Sequence, residues 1–487
     1  MVDKDLLSIQ EARALVRSAR TAQEAYAQLD QDRVDAIVKA IADQAVAQAE
    51  ELAALAVEET GFGKVADKKT KNILASEKLV QSIQGMKTVG VLKEDKAAKV
   101  MEVAVPMGVI AGIIPSTNPT STTIYKSIIA LKSGNAIVFT PHPSAQKCIA
   151  KTVEMIKAVL RSCGVSEDLV SVMCIPTLEG STELMKIVDL ILATGGPGMV
   201  KAAYSSGTPA LGVGAGNVPV FIERSADIED ALTKIFASKT FDNGTVCASE
   251  QAIVTEAIIA DQVKASLKAK GGYFLEGADL AKVKAVMERP NGAMNPKIVG
   301  RDAQYIADLA GITVPVGTRL LVCEEEGVGP QYPFSKEKLT ALMGFYTVAD
   351  WQEACELCFK LLKNGGIGHS LAIHSSNEAV IREFGLKKPV SRMLVNTPST
   401  HGAVGITTGL FPSFTLGCGT VGGSATSDNV TPLHLMNIRR VAYDLGNMKF
   451  DAAAPAASAA APATADAGSV DVQALTAMIL EELKKMA

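Results

Sequence analysis

The sequence predicts an α/β protein built on parallel sheets, and three observations carry that reading. Short β-rich runs alternate with amphipathic helical stretches through most of the chain. Hydrophobic residues make up 48% against 21% charged, enough apolar side chain for sizeable cores. The 40 glycines supply many tight turns between elements. Strands alternating with helices form a parallel sheet with helices on its faces, and 487 residues make two or three such domains the expectation.

From Ser8 to about Leu92 apolar residues return every three or four positions, through ALVRSARTAQEAYAQL, DRVDAIVKAIADQAVAQAEELAALAVEET and LASEKLVQSIQGM. That period predicts a helical lead-in. The runs VMEVAVPMGVIAGIIP, NAIVFTP, LVSVMCIP and VDLILATGG then read as strands, separated by helices such as SAQKCIAKTVEMIKAVLRSCG. A second α/β segment follows the helix DIEDALTKIFASKTF and runs to about Ser427, with QAIVTE, RLLVCEEE, KLTALMGFYTV and SLAIHS as its strands. After NIRRVAYDLGNM, the stretch AAAPAASAAAPATADAG has too few large side chains to build a core and reads as a linker. Beyond it Val472, Leu475, Ile479, Leu483 and Met486 fall on one face of a short amphipathic helix, which needs a partner to be stable.

Charge and cysteine usage exclude several classes of function. A formal charge of -4 without basic runs argues against a nucleic-acid partner, whose phosphates demand concentrated positive surface. The opening residues MVDKDLLSIQEARALVRSAR are interspersed with acids and read as an amphipathic helix, not a signal peptide. Eight cysteines without framework spacing fit reduced thiols in the cytoplasm. No apolar window reaches 18 residues, so no membrane span is expected. Cys355 and Cys358 form a single CxxC without a second ligand pair, and read as structural cysteines on a helix rather than a metal site.

Three stretches could carry chemistry. In KTFDNGTVCASEQAIVTE, Cys247 follows an Asn-Gly turn and precedes a strand, a position from which a thiol can be presented at a sheet edge. A lone cysteine is more often a small buried hydrophobe. In ALGVGAGNVPVFIE, Gly212, Gly214 and Gly216 permit close approach of a ligand or another backbone, though a strand-to-loop turn would use them equally well. In VIAGIIPSTNPTSTTIYKSIIALKSGNAIVFTPHPSA, a complete βαβ unit, Asn118 sits in the loop after the first strand. Its amide could donate to an oxyanion or simply form a turn beside Pro119.

In this order and spacing, the three stretches resemble the aldehyde dehydrogenase superfamily. GVGAGNVP with DNGTVCASEQ is similar to its coenzyme A-acylating branch, the acetaldehyde and propionaldehyde dehydrogenases of bacterial microcompartments, from the N-terminal helices to about Met448. The resemblance implies a Rossmann-type NAD and coenzyme A domain over residues 1–236, with an oligomerisation strand near 95–106, and a catalytic domain over 237–427. Residues 428–448 would return to the oligomer contact, 449–469 would be the linker and 470–487 the terminal helix. It further implies Cys247 as nucleophile and Asn118 as holder of the oxyanion. Thr194 and Gly195 of LATGGPGMVKAA, together with Gly212 and Gly214, would lie at the cofactor, and Glu337 of FSKEKLTALMG would bind the nicotinamide ribose. Thr140 and Pro141 fall at the adenosine end, where hydrolytic relatives keep a lysine and this chain has Thr140 and His142; the choice between NAD and NADP is open. His369 of GGIGHS and His401 of TPSTHGAVG are candidates for the substrate or coenzyme A channel, beside a structural or solvated reading. No metal is implied.

The hydrolytic branch holds a glutamate just before a glycine pair to activate water. Here that place falls on Gly212 or Val213, and no acid occurs from Ala210 to Ile222. Without that base water is a poor nucleophile, whereas a thiol of moderate pKa ionises in part near neutrality. Acyl transfer to coenzyme A is therefore expected over hydrolysis. The expected cycle runs through a thiohemiacetal at Cys247, its oxyanion held by Asn118 and the Cys247 N–H, to a cysteine thioester that coenzyme A resolves. Sulfoacetaldehyde is an alternative substrate. A hydrolytic enzyme or a silent cargo protein are rival readings, the latter countered by the presence of Cys247 and Glu337. The aldehyde module of a fused alcohol/aldehyde dehydrogenase is another, against which no iron-dependent domain with histidine-rich spacing follows. The linker and terminal helix resemble microcompartment encapsulation peptides, so the expected partners are shell or core proteins as well as a second or fourth copy of the chain.

Overall fold

The computed structural model describes residues 3–290, 292–448 and 472–485. The helical lead-in forms as its period predicts, with helices at Lys4–Tyr26, Gln31–Ala47, Ala49–Thr60 and Val65–Ile73. Asp3 and Asp30 cap the first two by accepting backbone N–H groups of Asp5 and Arg33. Their apolar faces, through residues such as Ala12, Val16, Ile37, Ile41 and Leu52, join the core of the first sheet.

Among the described residues, fifteen strands make three sheets. β1 (Val91–Asp95) and β2 (Val100–Pro106) begin the smallest. Next come β3 (Val109–Ile114), β4 (Ala136–Pro141), β5 (Val170–Val172), β6 (Leu190–Thr194) and β7 (Ala210–Val213). These five pair in parallel in the order β5-β4-β3-β6-β7. Every residue of β3 and β4 is buried, as expected where helices cover both faces of a parallel sheet. The strand order reverses between β3 and β6, which opens a crevice at the carboxyl ends of the strands.

The second sheet holds β8 (Val218–Ile222), β9 (Glu250–Glu256), β10 (Gly272–Phe274), β11 (Leu320–Glu324), β12 (Leu342–Val348), β13 (Gly368–His374) and β14 (Val390–Val395). All are parallel, in the order β10-β11-β12-β9-β8-β13-β14. The stretch before the expected division at 236/237 contributes to this second sheet. The chain leaves the first sheet at Val213, β8 already pairs with β9 and β13, and the helix Ile228–Lys239 buries Leu232, Ile235 and Phe236 in the core of the second sheet. VPVFIE and the helix after it look like one more strand and helix of an alternating series, and only pairing shows which sheet they join.

β15 (Met436–Ala442) completes the small sheet, in the order β1-β2-β15, with Arg440 bonded to Glu102 at 3.1 Å. Cys355 and Cys358 are both buried on the helix Trp351–Lys363, in a core with Phe221 and Phe384. No group of residues suited to holding a metal occurs among the described residues, and no helix there is long and apolar enough to cross a membrane. Of the described residues, 95–100, 442–448 and 472–485 group as a unit of their own, in which the Tyr443 N–H donates to the Lys99 carbonyl. The helix Val472–Lys485 belongs to it, with Met478 and Ile479 exposed. The expected linker at 449–469 and Met486 lie outside the described residues.

Candidate active site

A cleft of about 460 Å³ lies where the carboxyl ends of β3, β4, β6 and β7 face the segments that lead into β8, β9 and β12. Eight of the residues singled out from the sequence line it: Asn118, Thr140, Pro141, Thr194, Gly195, Gly214, Cys247 and Glu337. One parallel sheet offers its carboxyl edge and the other the approaches to its amino edge, so a ligand in the crevice of the first meets the loops of the second.

Cys247 is positioned by the turn Phe241–Gly244. Asp242 and Asn243 adopt φ of 48° and 52° and Gly244 of 76°, a left-handed path that costs each non-glycine residue about 1 kcal/mol or more. The buried Asp242 carboxylate offsets that cost. It accepts the Lys64 N–H at 2.7 Å, Lys68 Nζ at 2.9 Å, Lys71 Nζ at 2.5 Å and Thr245 Oγ1 at 2.7 Å. Burial alone would raise its pKa, but the Lys71 and Lys68 ammonium groups outweigh burial and hold it well below the usual carboxylate range. Burial and the neighbouring Lys68 bring Lys71 down to about 8 against the pull of Asp242.

The Cys247 thiol is pushed up to about 12, first by burial, then by the charge of Glu337 and by Cys418, with the Arg392 guanidinium acting the other way. Glu337 is itself raised to about 7 by burial, although its Oε1 accepts the Gly216 N–H at 2.9 Å. Gly216 touches both groups, because a Cβ there would stand 2.1 Å from the Cys247 carbonyl oxygen. Asn118 faces the same loop. Its Oδ1 accepts from Lys71 Nζ at 2.6 Å, and its Nδ2 donates to the Thr245 carbonyl at 3.0 Å and to Thr117 Oγ1 at 3.2 Å. Beside Cys247, Val246, Val404 and Phe414 pass from the cleft into a small cavity of about 10 Å³, where Leu74, Phe241 and Ile406 add apolar wall.

At the far end of the cleft, Thr140 Oγ1 and Ser181 Oγ share a hydrogen bond of 2.8 Å. His142 Nδ1 accepts the Ser144 N–H, and burial lowers its pKa. Among the described lining residues, that end carries no lysine, arginine or carboxylate.

Three expected residues stand apart. The Gly212 N–H donates to Tyr204 Oη at 2.9 Å and its carbonyl accepts from Ser424 Oγ at 2.6 Å, so its backbone is engaged away from the cleft lining. His369 is buried behind Gly216, its Nδ1 at Ser370 Oγ, and burial with the nearby Arg392 lowers its pKa to about 3. It supports the loop from behind and is absent from the lining of the cleft. His401 packs on Phe241, ring centroids 4.7 Å apart, and so backs the small cavity. The sequence reading missed Lys68, Lys71 and Asp242. In KKTKNIL the lysines look like the wet face of an amphipathic helix; the signal was an acid directly before the Asn-Gly turn, which a left-handed path can bury beside them.

Comparison with known proteins follows the same lines. The profile described as "Aldehyde dehydrogenase family" matches residues 5–281. The chain is similar to the bifunctional aldehyde-alcohol dehydrogenase AdhE of Escherichia coli (strain K12), 44% identical over 448 residues, which is 91% of this chain and 50% of the relative. The chain thus spans about half the length of that relative. Among solved structures it is similar to an acetylating aldehyde dehydrogenase from Geobacillus thermoglucosidasius, with TM-score 0.91, 49% identity and coverage of 92% of this chain and 100% of that one. It is also similar to a propionaldehyde dehydrogenase from the Clostridium phytofermentans fucose utilisation bacterial microcompartment, with TM-score 0.81, 30% identity and coverage of 89% and 97%.

Proposed function

Because the chain belongs to the aldehyde dehydrogenase family, we propose that it oxidises a short, uncharged aldehyde to an acyl-coenzyme A through a thioester at Cys247. The observation that carries this is the wall around Cys247. The segment Ala210–Ile222 contributes no carboxylate, and the place where hydrolytic relatives hold their base falls on Gly212, whose backbone is engaged by Tyr204 and Ser424, or on Val213, which lines the cleft with an apolar side chain. That segment gives water no general base, and Glu337, the one carboxylate among the described lining residues, is held by the Gly216 N–H, which leaves the thioester to a better nucleophile.

The residues present fit a nicotinamide dinucleotide. The crevice lies at the strand-order reversal, and Gly195 and Gly196 lead into the helix Pro197–Tyr204, the positive end of whose dipole suits a pyrophosphate. Thr194 and Gly214 would flank it, Thr140 and Pro141 would meet the adenosine and Glu337 the nicotinamide ribose. When bound, the cofactor supplies the hydride acceptor. The chain's own part is to aim Cys247, which attacks as its thiolate, and to hold the oxygen of the thiohemiacetal with the Asn118 amide and the Cys247 N–H until it collapses to the thioester. The thiolate of coenzyme A then attacks the thioester carbon and the Cys247 thiolate leaves. One thioester replaces another of similar energy, so the exchange is reversible.

The small cavity of Leu74, Phe241, Val246 and Phe414, at about 10 Å³, has room for no more than the methyl end of a short alkyl group. Its one cationic side chain, Lys71, is already paired with Asp242, so a sulfonate or distal carboxylate finds no counter-charge. The small three-stranded sheet, with Ile438 exposed on β15, is the contact through which copies of the chain would form a dimer or tetramer. The terminal helix, with Met478 and Ile479 exposed, would dock the enzyme in a microcompartment within the cytoplasm. NADH formation from propionaldehyde and NAD, with and without coenzyme A, tests the activity. Turnover should depend on coenzyme A and vanish in Cys247→Ala; steady turnover without coenzyme A would mean that water resolves the thioester.

A further inference from the structure

Asn118 can point either end of its amide at the Cys247 loop, and only one of them stabilises an oxyanion. The nitrogen is a donor, whereas the oxygen would repel the developing charge. Two neighbours decide between them. Lys71 Nζ, which can only donate, lies 2.6 Å from one amide atom, and the Thr245 carbonyl, which can only accept, lies 3.0 Å from the other. Turning the amide over would set nitrogen against ammonium and oxygen against carbonyl, and the second N–H, in its longer bond of 3.2 Å to Thr117 Oγ1, is the one that passes to the oxyanion. Lys71 is in turn held by the Asp242 carboxylate at 2.5 Å and reaches Thr245 Oγ1 at 3.3 Å. Both charged side chains are almost completely buried, at 2% and 0% exposure, so neither drifts into solvent.

We propose that Lys71, anchored by Asp242, is a positioning residue that keeps the Asn118 amide nitrogen turned toward the oxyanion and polarises the amide as donor. The inference rests on the Cys247 and Asn118 roles given above and extends them to a pair on the helix Val65–Ile73 and the turn Phe241–Gly244. A charge-assisted hydrogen bond on Oδ1 withdraws electron density from the amide and makes its N–H groups stronger donors. It also explains why a lysine is kept dry here. An ammonium buried only for packing would be replaced to advantage by an apolar side chain.

A double-mutant cycle in the full chain tests this, with Lys71→Met, Asn118→Ala and the double variant compared for two reactions. One is NADH formation from propionaldehyde with NAD and coenzyme A, which builds an oxyanion. The other is alkylation of Cys247 by iodoacetamide, which builds none. Lys71→Met should lower kcat by about 10²-fold with little change in KM, the double variant should be no slower than Asn118→Ala, and alkylation should stay within about twofold. Lys69→Met, on the exposed side of the same helix and paired with Glu50, should behave as the unaltered chain. Should Lys71→Met fail to fold, Lys71→Gln takes its place, with the same losses expected. Losses that multiply, or alkylation that falls in parallel with turnover, would overturn the proposal, since Lys71 would then act on the loop and not through Asn118. Persistent turnover in Cys247→Ala would instead sink the thioester reading on which it rests.

Discussion

The carbonyl oxygen of Cys247 rests against Gly216, so closely that a Cβ at position 216 would stand 2.1 Å away. That contact joins the approach to β8 to the approach to β9, and the Gly216 N–H simultaneously holds Glu337 Oε1. Gly216→Ala would have to push the nucleophile loop off its seat. Turnover should fall by about 10²-fold, while far-UV circular dichroism stays native. Undiminished turnover would show that the loop tolerates the shift.

Glu337 raises the Cys247 pKa through its charge, after the larger effect of burial. Removing that charge acts in the opposite direction. In Glu337→Gln the pH profile of Cys247 alkylation should move to lower pH, while that of the unaltered chain, whose thiol lies at about 12, keeps rising through pH 10. Iodoacetamide kinetics between pH 6 and 10, without cofactor, would show it, and a profile that stays in place would remove Glu337 from the electrostatics of the nucleophile.

Tyr204 Oη accepts the N–H groups of Gly212 and Ala425, each at 2.9 Å. Tyr204→Phe strands the Gly212 N–H at a buried position and should cost about 1–3 kcal/mol of stability. Thermal unfolding should register it as a lowered Tm, with kcat nearly unchanged because Gly212 is absent from the cleft lining. A large kcat loss at constant Tm would place Gly212 in the chemistry.

The small cavity beside Cys247 is walled by Leu74, Phe241, Ile406 and Phe414, and its one ammonium is paired. Propionaldehyde should therefore exceed sulfoacetaldehyde in kcat/KM by about 10²-fold or more, the cost of desolvating an unpaired anion. Equal values would mean that a cation reaches the substrate from elsewhere.

Much of the fold was legible before any coordinates. The period of the lead-in, the buried runs VIAGII and AIVFTP, and the alternation of strand and helix follow from residue type alone, because local periodicity sets which face of each element is buried. Cys247, Asn118 and the glycines could be singled out as loop residues beside strands, but their roles came from the family resemblance, since each has a structural reading when taken alone. What only the tertiary structure decided is which distant segments meet. β8 belongs to the second sheet because of its pairing with β9 and β13. His369 and His401 leave the cleft because Gly216 and Phe241 stand in front of them. Lys71 and Asp242, 171 residues apart, become one buried pair under Asn118. A lysine on an amphipathic helix reads as solvated, and nothing in its neighbours shows that a left-handed turn far along the chain will carry a carboxylate to it; long-range contact, unlike periodicity, is not written locally.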